Sequence, residues 1–162
     1  MSRQAVRTGE TNPHAALARQ KKREDAGRIG LTDEVVSRVI ASFYGKIRDD
    51  ELLGPIFTGK IQDWPKHLEQ MNRFWRSILF STAEYSGNPM VRHQQLPPLD
   101  ERHFSHWLDL FYATLREECT EEEAVKIFAG RARMIADSLL TGIAMRREGM
   151  AGASKGRNLP YV

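Results

Sequence analysis

The sequence contains one cysteine and no long hydrophobic run. Because Cys119 stands alone, neither an intrachain disulfide nor a C-x-x-C-H motif for covalent cofactor attachment is possible. No apolar run approaches the roughly 20 residues that a membrane-spanning helix needs. Residues 1–30 also lack the apolar core of a secretory signal. We therefore expect a protein of a reducing, cytoplasmic compartment that has no membrane partner.

Positive charge is in small excess and lies mainly at the two ends of the chain. The formal net charge is +3, and residues 18–28 hold five Lys and Arg against two carboxylates. A basic arm can bind nucleic acid or an anionic membrane. No aromatic residues interleave with these charges to stack on bases. We therefore interpret the arm as a solvated segment and expect no nucleic-acid partner.

The pattern along the chain divides it into an arm, one domain and a tail. Residues 1–29 lack hydrophobic periodicity and are predicted to be a mostly disordered arm with a helical turn around residues 14–24. Residues 30–147 are predicted to form a single domain. Residues 148–162 are predicted to be a flexible C-terminal tail.

Four helices are predicted within the domain. Apolar side chains recur every three or four positions in residues 33–48, 64–80 and 101–117, which indicates one buried face on each helix. The fourth helix opens with Thr120-Glu121-Glu122-Glu123, which has the form of a capping box. No segment alternates convincingly between apolar and polar residues, so we predict an all-α fold. The expected N-caps of the first three helices are Thr32, Asp63 and Asp100.

A long connection between the second and third helices presents a histidine. It contains the turn signals Ser86-Gly87-Asn88-Pro89 and Pro97-Pro98, which leave room only for a short helix over residues 90–96. That helix would hold His93 rigidly, and a neutral imidazole is a suitable axial ligand for haem iron. On spacing alone, an ordinary surface histidine explains the pattern better.

Several polar side chains fall near the predicted apolar faces. His67 shares a helix face with Met71. The two side chains could line one pocket, or Met71 could simply belong to the core with His67 at its edge. Tyr44 O–H and Trp107 N–H are uncharged donors, and such a pair suits a ligand that becomes partly anionic. His103 is expected to be half-buried beside Trp107, and His106 is expected to face water.

Five runs of sequence together resemble the group III truncated haemoglobins. They occur in the order and approximate spacing of that family and cover residues 31–143. The resemblance implies an all-α truncated globin fold, a two-over-two helical sandwich around a non-covalent haem b. The runs are FYGKIRDDELLGPIF (43–57), DWPKHLEQMNRFW (63–75), YSGNPMVRHQQLPPL (85–99), HFSHWLDLF (103–111) and RARMIADSL (131–139).

The resemblance also implies roles for individual residues. It makes His93 the proximal iron ligand, the one metal ligand that the chain supplies. The chain departs from the family at Met71, where a smaller aliphatic residue can occur, and this affects the shape of the distal cavity. The polar distal positions are Tyr44, His67 and Trp107; the apolar contacts are Phe43, Phe57 and Met71; the candidate propionate contacts are Lys66, Arg73, Tyr85 and Arg92.

The function that the resemblance implies is reversible binding of dioxygen and other diatomic ligands at a five-coordinate iron. Hydrogen bonds from Tyr44 and Trp107 favour slow release, which argues against simple transport. His67 could act as a gate or as a proton donor in peroxide cleavage. Turnover of nitric oxide or peroxide is one possible activity. Its electron donor is unidentified, because the chain has no glycine-rich dinucleotide fingerprint.

Two alternative functions remain open on the sequence. The first is a haem-based gas or redox sensor acting through a partner protein, supported only by the basic N-terminal arm. The second is a helical interaction module without a cofactor, in which the histidines are incidental. A Soret band would exclude the second alternative.

Overall fold

The computed structural model describes residues 12–82 and 98–162. No strand occurs in these ranges, so the predicted all-α fold is confirmed. No helix within them is long and apolar enough to cross a membrane. The α-helices are α1 (Pro13–Arg28), α2 (Asp33–Asp49), α3 (Gly54–Thr58), α4 (Trp64–Phe80), α5 (Glu101–Glu118) and α6 (Glu122–Glu148), followed by two short 3₁₀ helices, Gly149–Gly152 and Lys155–Asn158.

The predicted bounds of α2, α4 and α5 are confirmed to within one residue, and so are their N-caps. The Thr32 hydroxyl accepts a hydrogen bond from the Val35 N–H, at 3.3 Å. The Asp63 carboxylate accepts one from the Lys66 N–H, at 3.1 Å. Asp100 caps α5 in the same manner. Each cap satisfies a backbone donor that the first helical turn leaves unpaired.

The predicted capping box at the start of α6 is wrong. The N-cap is Glu121 rather than Thr120, and it makes no side-chain capping bond. Instead, the Glu122 carboxylate pairs with the Arg116 guanidinium at the end of α5, at 2.9 Å. This ion pair spans the connection between α5 and α6 and engages a side chain in the first turn of α6.

The four long helices α2, α4, α5 and α6 pack as the predicted two-over-two sandwich requires. Helix α2 packs against α4 and α5, and α5 packs against α6. The apolar stripe of each helix therefore faces the centre of the molecule, where burial removes it from water. The largest fully buried side chains include Phe43 of α2, Phe80 of α4, Phe111 of α5 and Phe128 of α6.

The helical turn predicted around residues 14–24 is part of a longer helix, α1, in an arm that was otherwise predicted to be disordered. Asn12 caps α1, and Pro13 occupies its first turn. None of the residues of α1 is fully buried, although Ala26 packs against the core. Polar contacts add to this packing: Arg23 pairs with Asp33 at 2.7 Å, and Lys22 Nζ donates to Ser81 Oγ at 2.9 Å. Residues 1–11 lie outside the described residues.

The C-terminal segment also differs from its prediction, because it packs along α6. Leu159 is 2% exposed and belongs to the core. The Tyr112 hydroxyl donates to the Pro160 carbonyl at 2.6 Å, and Arg133 donates to the Leu159 carbonyl. Gly156 lies against Asp137 so closely that a Cβ would clash with it. Apart from Leu159, these contacts are made by backbone carbonyls and a glycine. Hydrophobic periodicity in the sequence therefore does not indicate them.

Candidate cofactor site

A cavity of about 490 Å³ opens between α2, α3, α4, α5 and α6. Its size falls within the range of roughly 300–1,000 Å³ that small-molecule and cofactor pockets occupy. Most of its wall is apolar or aromatic. The lining residues are Tyr44, Leu53, Ile56, Phe57, Lys60, Ile61, Gln62, Asp63, Lys66, His67, Gln70, Met71, Phe74, Trp75, Leu99, His103, Phe104, Trp107, Ile135, Ala136 and Leu139.

The structure brings the three polar residues singled out in the sequence to this one cavity. Tyr44 comes from α2, His67 from α4 and Trp107 from α5. The rings of Tyr44 and His67 meet edge to face, with centroids 5.0 Å apart and planes at 89°. Because three different helices supply these side chains, the packing of the sandwich sets their mutual geometry.

Tyr44 is held as a neutral hydrogen-bond donor. Its side chain is buried, with the residue 5% exposed. Burial disfavours the charged phenolate and raises the pKa of the hydroxyl far above its ordinary value of 10.0. Tyr44 therefore keeps its O–H throughout the neutral and moderately alkaline range.

Phe43 does not line the cavity but supports its wall from behind. It is 1% exposed and meets Tyr44 edge to face at 5.1 Å and Trp107 at 5.4 Å. Trp107 in turn stacks on Phe111, with centroids 5.3 Å apart. These contacts hold the phenol and the indole in fixed orientations, because close-packed aromatic rings have little room to rotate.

Phe57 reaches the cavity from the short helix α3, whose position Asp50 and Gly54 determine. The Asp50 carboxylate accepts hydrogen bonds from the Leu52 and Leu53 N–H groups. Gly54 begins α3 directly against the end of α2, where a Cβ would lie 2.9 Å from the Arg48 carbonyl oxygen. A side chain at Gly54 would therefore push α3 away from the cavity.

Two lysines lie in the cavity wall, and one predicted cation does not. Lys66, a candidate contact for a carboxylate, lines the cavity, as does Lys60, which the sequence analysis did not single out. Both side chains are on exposed residues. Arg73 lies outside the lining and pairs with Glu69 one helical turn earlier. Met71, an apolar residue predicted to contact the cofactor, lines the cavity.

His103 is a cavity residue to which the sequence analysis gave no site role. Its side chain is only 13% exposed, and its Nδ1 accepts a hydrogen bond from the Asp100 N–H at 3.1 Å. Burial acts to raise the pKa of Asp100, but its interactions with the His103 ring and the hydrogen bonds from the Arg102 and His103 N–H groups lower that pKa overall. His103 thus completes a capping box in the position where glutamate or glutamine is usual.

His106 faces water only in part, because its side chain is 36% exposed and also contacts Asp50. Its Nε2 lies 2.6 Å from Asp50 Oδ1, across the gap between α5 and the turn that follows α2. Burial acts to raise the pKa of Asp50, but the hydrogen bond with His106 and the backbone N–H groups lower it overall. The pair links the helix that carries Trp107 to the turn that positions Phe57.

Three predicted site residues, His93, Tyr85 and Arg92, lie outside the described residues. Their predicted roles, with the short helix over residues 90–96, stay predictions.

Comparison with known proteins establishes the family. The model of the bacterial-like globins matches residues 27–140, a range that contains every cavity-lining residue. The chain belongs to the bacterial-like globins, in the group III truncated haemoglobin class. The group 3 truncated haemoglobin ctb of Campylobacter jejuni is 34% identical over 110 residues, which cover 65% of this chain and 86% of the relative.

A solved structure has the same fold. The crystal structure of the group III truncated haemoglobin from Campylobacter jejuni matches with a TM-score of 0.65 and 32% identity, over 69% of this chain and 91% of that chain. As a globin, the chain uses haem to bind small gaseous ligands such as oxygen. Most of α1 and all of the packed C-terminal segment lie outside the residues that the family model matches.

Proposed function

We propose that this globin binds haem b in the described cavity, with His93 as its axial ligand, and that it holds dioxygen firmly. The observation that carries the proposal is the convergence of Tyr44, His67 and Trp107 on one cavity. Three polar side chains from three helices favour retention of a ligand that carries partial negative charge.

The residues present fit a flat apolar cofactor that carries carboxylates. Aromatic and aliphatic side chains from five helices make up most of the wall and suit the macrocycle. Lys60 and Lys66 line the same cavity, and their ammonium groups suit the carboxylates. When bound, haem supplies an iron atom at which diatomic gases coordinate.

The distal side chains would then act as fixed donors. Tyr44 keeps its proton because burial raises its pKa, so its O–H is available to a ligand at neutral pH. Trp107 has only a donor N–H to offer, and its stacking on Phe111 holds the indole plane. Each hydrogen bond to a partly charged ligand contributes about 1.5–3 kcal/mol. Slow ligand release follows from two such donors.

His67 gives the cavity an imidazole, a group that can both donate and accept a proton. Histidine is the side chain whose ordinary pKa lies closest to physiological pH. With Tyr44 in edge contact, His67 could deliver a proton to peroxide or open a route for nitric oxide. We therefore include nitric oxide or peroxide turnover in the proposal, with reducing equivalents supplied by a separate protein.

The experiment is purification of the haem-containing protein, identification of its haem as the pyridine haemochrome, and exposure to oxygen and nitric oxide. We expect one haem per chain, a reversible oxygen spectrum and stoichiometric nitrate from the oxygenated protein. A purified protein whose pyridine haemochrome is not of the b type would refute the cofactor assignment. Oxygen release as fast as that of a Tyr44→Phe, Trp107→Phe double variant would refute firm retention.

A further inference from the structure

Four side chains interlock at the outer edge of the distal site. Tyr44 and Arg48 lie one turn apart on α2, and Trp64 and His67 lie one turn apart on α4. The Trp64 ring meets His67 at 5.9 Å and Tyr44 at 6.0 Å, both close to edge on. The Arg48 guanidinium lies over the Trp64 ring, 4.6 Å from the ring centroid.

Trp64 differs from its two neighbours in its relation to the cavity. Tyr44 and His67 line the cavity, whereas Trp64 does not. The indole is partly buried against the core, and Arg48 is exposed. The cluster therefore runs from solvent inwards, with Arg48 outermost, Trp64 next and the two cavity residues innermost.

The position of Trp64 restricts where the His67 side chain can go. Helical side chains lean towards the N-terminus of their helix, over the residues three or four positions earlier. His67 therefore leans towards the turn that contains Trp64. The ring of Trp64 fills the space that an imidazole would need in order to leave the cavity over that turn.

We propose that Trp64, clamped by Arg48, is a positioning residue that keeps His67 inside the distal cavity. Trp64 acts through His67 and does not itself touch the ligand. The cation–π contact of Arg48 holds the indole against the histidine, since a guanidinium over an indole face is attracted by its electrons. This pair sets how often the cavity opens past His67, and so sets the rate of ligand entry.

The inference rests on the proposed function, and its test uses the ferrous, haem-containing protein with carbon monoxide as the probe. Association rates come from flash photolysis. Trp64→Leu keeps apolar volume but removes the ring edge, and we expect carbon monoxide to enter about two- to tenfold faster, the factor that corresponds to one aromatic pair. Trp64→Phe keeps a ring edge and should remain close to the parent.

A double-mutant cycle separates positioning from a merely structural role. In a His67→Ala background there is no imidazole to restrain, so Trp64→Leu should add little to the association rate. The infrared C–O stretching band gives a second readout that does not depend on kinetics. Trp64→Leu should shift this band towards that of the His67→Ala protein, because in both proteins the imidazole is no longer held in the cavity.

Arg48→Gln tests the outer member of the cluster with a surface change that does not threaten folding. We expect an acceleration of about two- to fivefold, in keeping with a cation–π contact. Arg38→Gln is the matched control, since Arg38 is another exposed α2 arginine and pairs with Glu118 instead. It should leave the association rate unchanged.

The outcomes distinguish the inference from the function on which it rests. If the parent forms no carbon monoxide complex, the proposed function fails. If the parent forms the complex but Trp64→Leu and Arg48→Gln bind at the parental rate, the positioning role fails. An acceleration that persists in full in the His67→Ala background would also overturn it. If Trp64→Leu does not fold, Arg48→Gln in both backgrounds decides the question.

Discussion

The phenol ring of Tyr44 and the imidazole of His67 meet at 89°, with their centroids 5.0 Å apart. They lie 23 positions apart in the chain, on two helices that pack against each other. Neither ring can turn far without displacing the other, because both are also in edge contact with Trp64. The distal side of this globin is thus a set of mutually restrained rings rather than independent polar groups.

Replacement of Trp107 by phenylalanine should accelerate oxygen release. The substitution removes the indole N–H but keeps a ring to stack on Phe111, so the cavity wall should persist. Loss of one hydrogen bond to a partly charged ligand predicts an increase of roughly ten- to a hundredfold. Stopped-flow displacement of oxygen measures this rate. The control is Tyr112→Phe, which loses a hydroxyl that is hydrogen-bonded to Pro160 outside the cavity. Oxygen release from Trp107→Phe at the parental rate would show that the indole does not retain oxygen.

The contribution of Tyr44 to oxygen retention should not change with pH between about 7 and 10. Burial raises the pKa of its hydroxyl, so the folded protein keeps the proton while the unfolded chain loses it near the ordinary value. Above that value the folded state binds more protons, and the free energy of unfolding falls as pH rises. We expect unfolding rather than a tyrosinate absorbance change from Tyr44. A Tyr44→Phe protein serves as the reference, and loss of oxygen retention in a folded parent below pH 10 would contradict the prediction.

Replacement of Asp50 by alanine should destabilise the protein by about 1–2 kcal/mol, because two capped N–H groups and His106 lose their acceptor. The pKa of Asp50 is lowered in the folded protein. Its contribution is therefore present above the unfolded pKa, roughly 3.9, and is lost as pH falls through the lower folded value. Urea unfolding at several pH values should show the parent and the variant converging in acid.

The matched control for this experiment is Asp49→Ala. Asp49 is the neighbouring carboxylate at the end of α2, and it is exposed. A loss of stability for Asp49→Ala equal to that for Asp50→Ala would mean that general charge, not the cap and the histidine contact, is responsible.

Replacement of Leu159 by alanine should lower the free energy of unfolding by about 2–5 kcal/mol, the usual cost of emptying a buried leucine site. The side chain is 2% exposed although it lies only three residues from the C-terminus. Thermal or urea unfolding gives the value. Met150→Ala, at a residue that is 79% exposed, is the control and should be close to neutral. Equal stabilities of the two variants would indicate that the C-terminal segment does not pack in solution.

The helices could be predicted because their stripes and caps are local. Thr32, Asp63 and Asp100 each satisfy an N–H within three residues, so their roles follow from sequence alone. α1 could not be predicted in this way because it has no buried face. Its position depends on Lys22 and Arg23 meeting residues as distant as Ser81, which no local pattern encodes.

The same contrast applies to the site. Tyr44, His67 and Trp107 could be placed together because their runs resemble a known family, and the cavity contains all three. His103 and Trp64 were missed because each lies in the first turn of a helix, where an apolar stripe has only begun. The roles of both depend on partners from other turns or helices.

The basic arm gives little support to a sensor that binds an anionic partner through α1. Arg23 pairs with Asp33 and lies over the Phe80 ring, Lys22 contacts Ser81, and Arg28 pairs with Asp25. Most of the cations of α1 are thus engaged within the chain.

Binding of haem in this cavity through His93 can be tested by the visible spectrum of the purified ferrous protein, recorded for the parent and for His93→Ala. We predict a Soret band of a five-coordinate haem in the parent, with loss of haem or of that axial ligation in the variant. A haem-supplied parent without a specific Soret band, or a variant with an unchanged spectrum, would contradict the account.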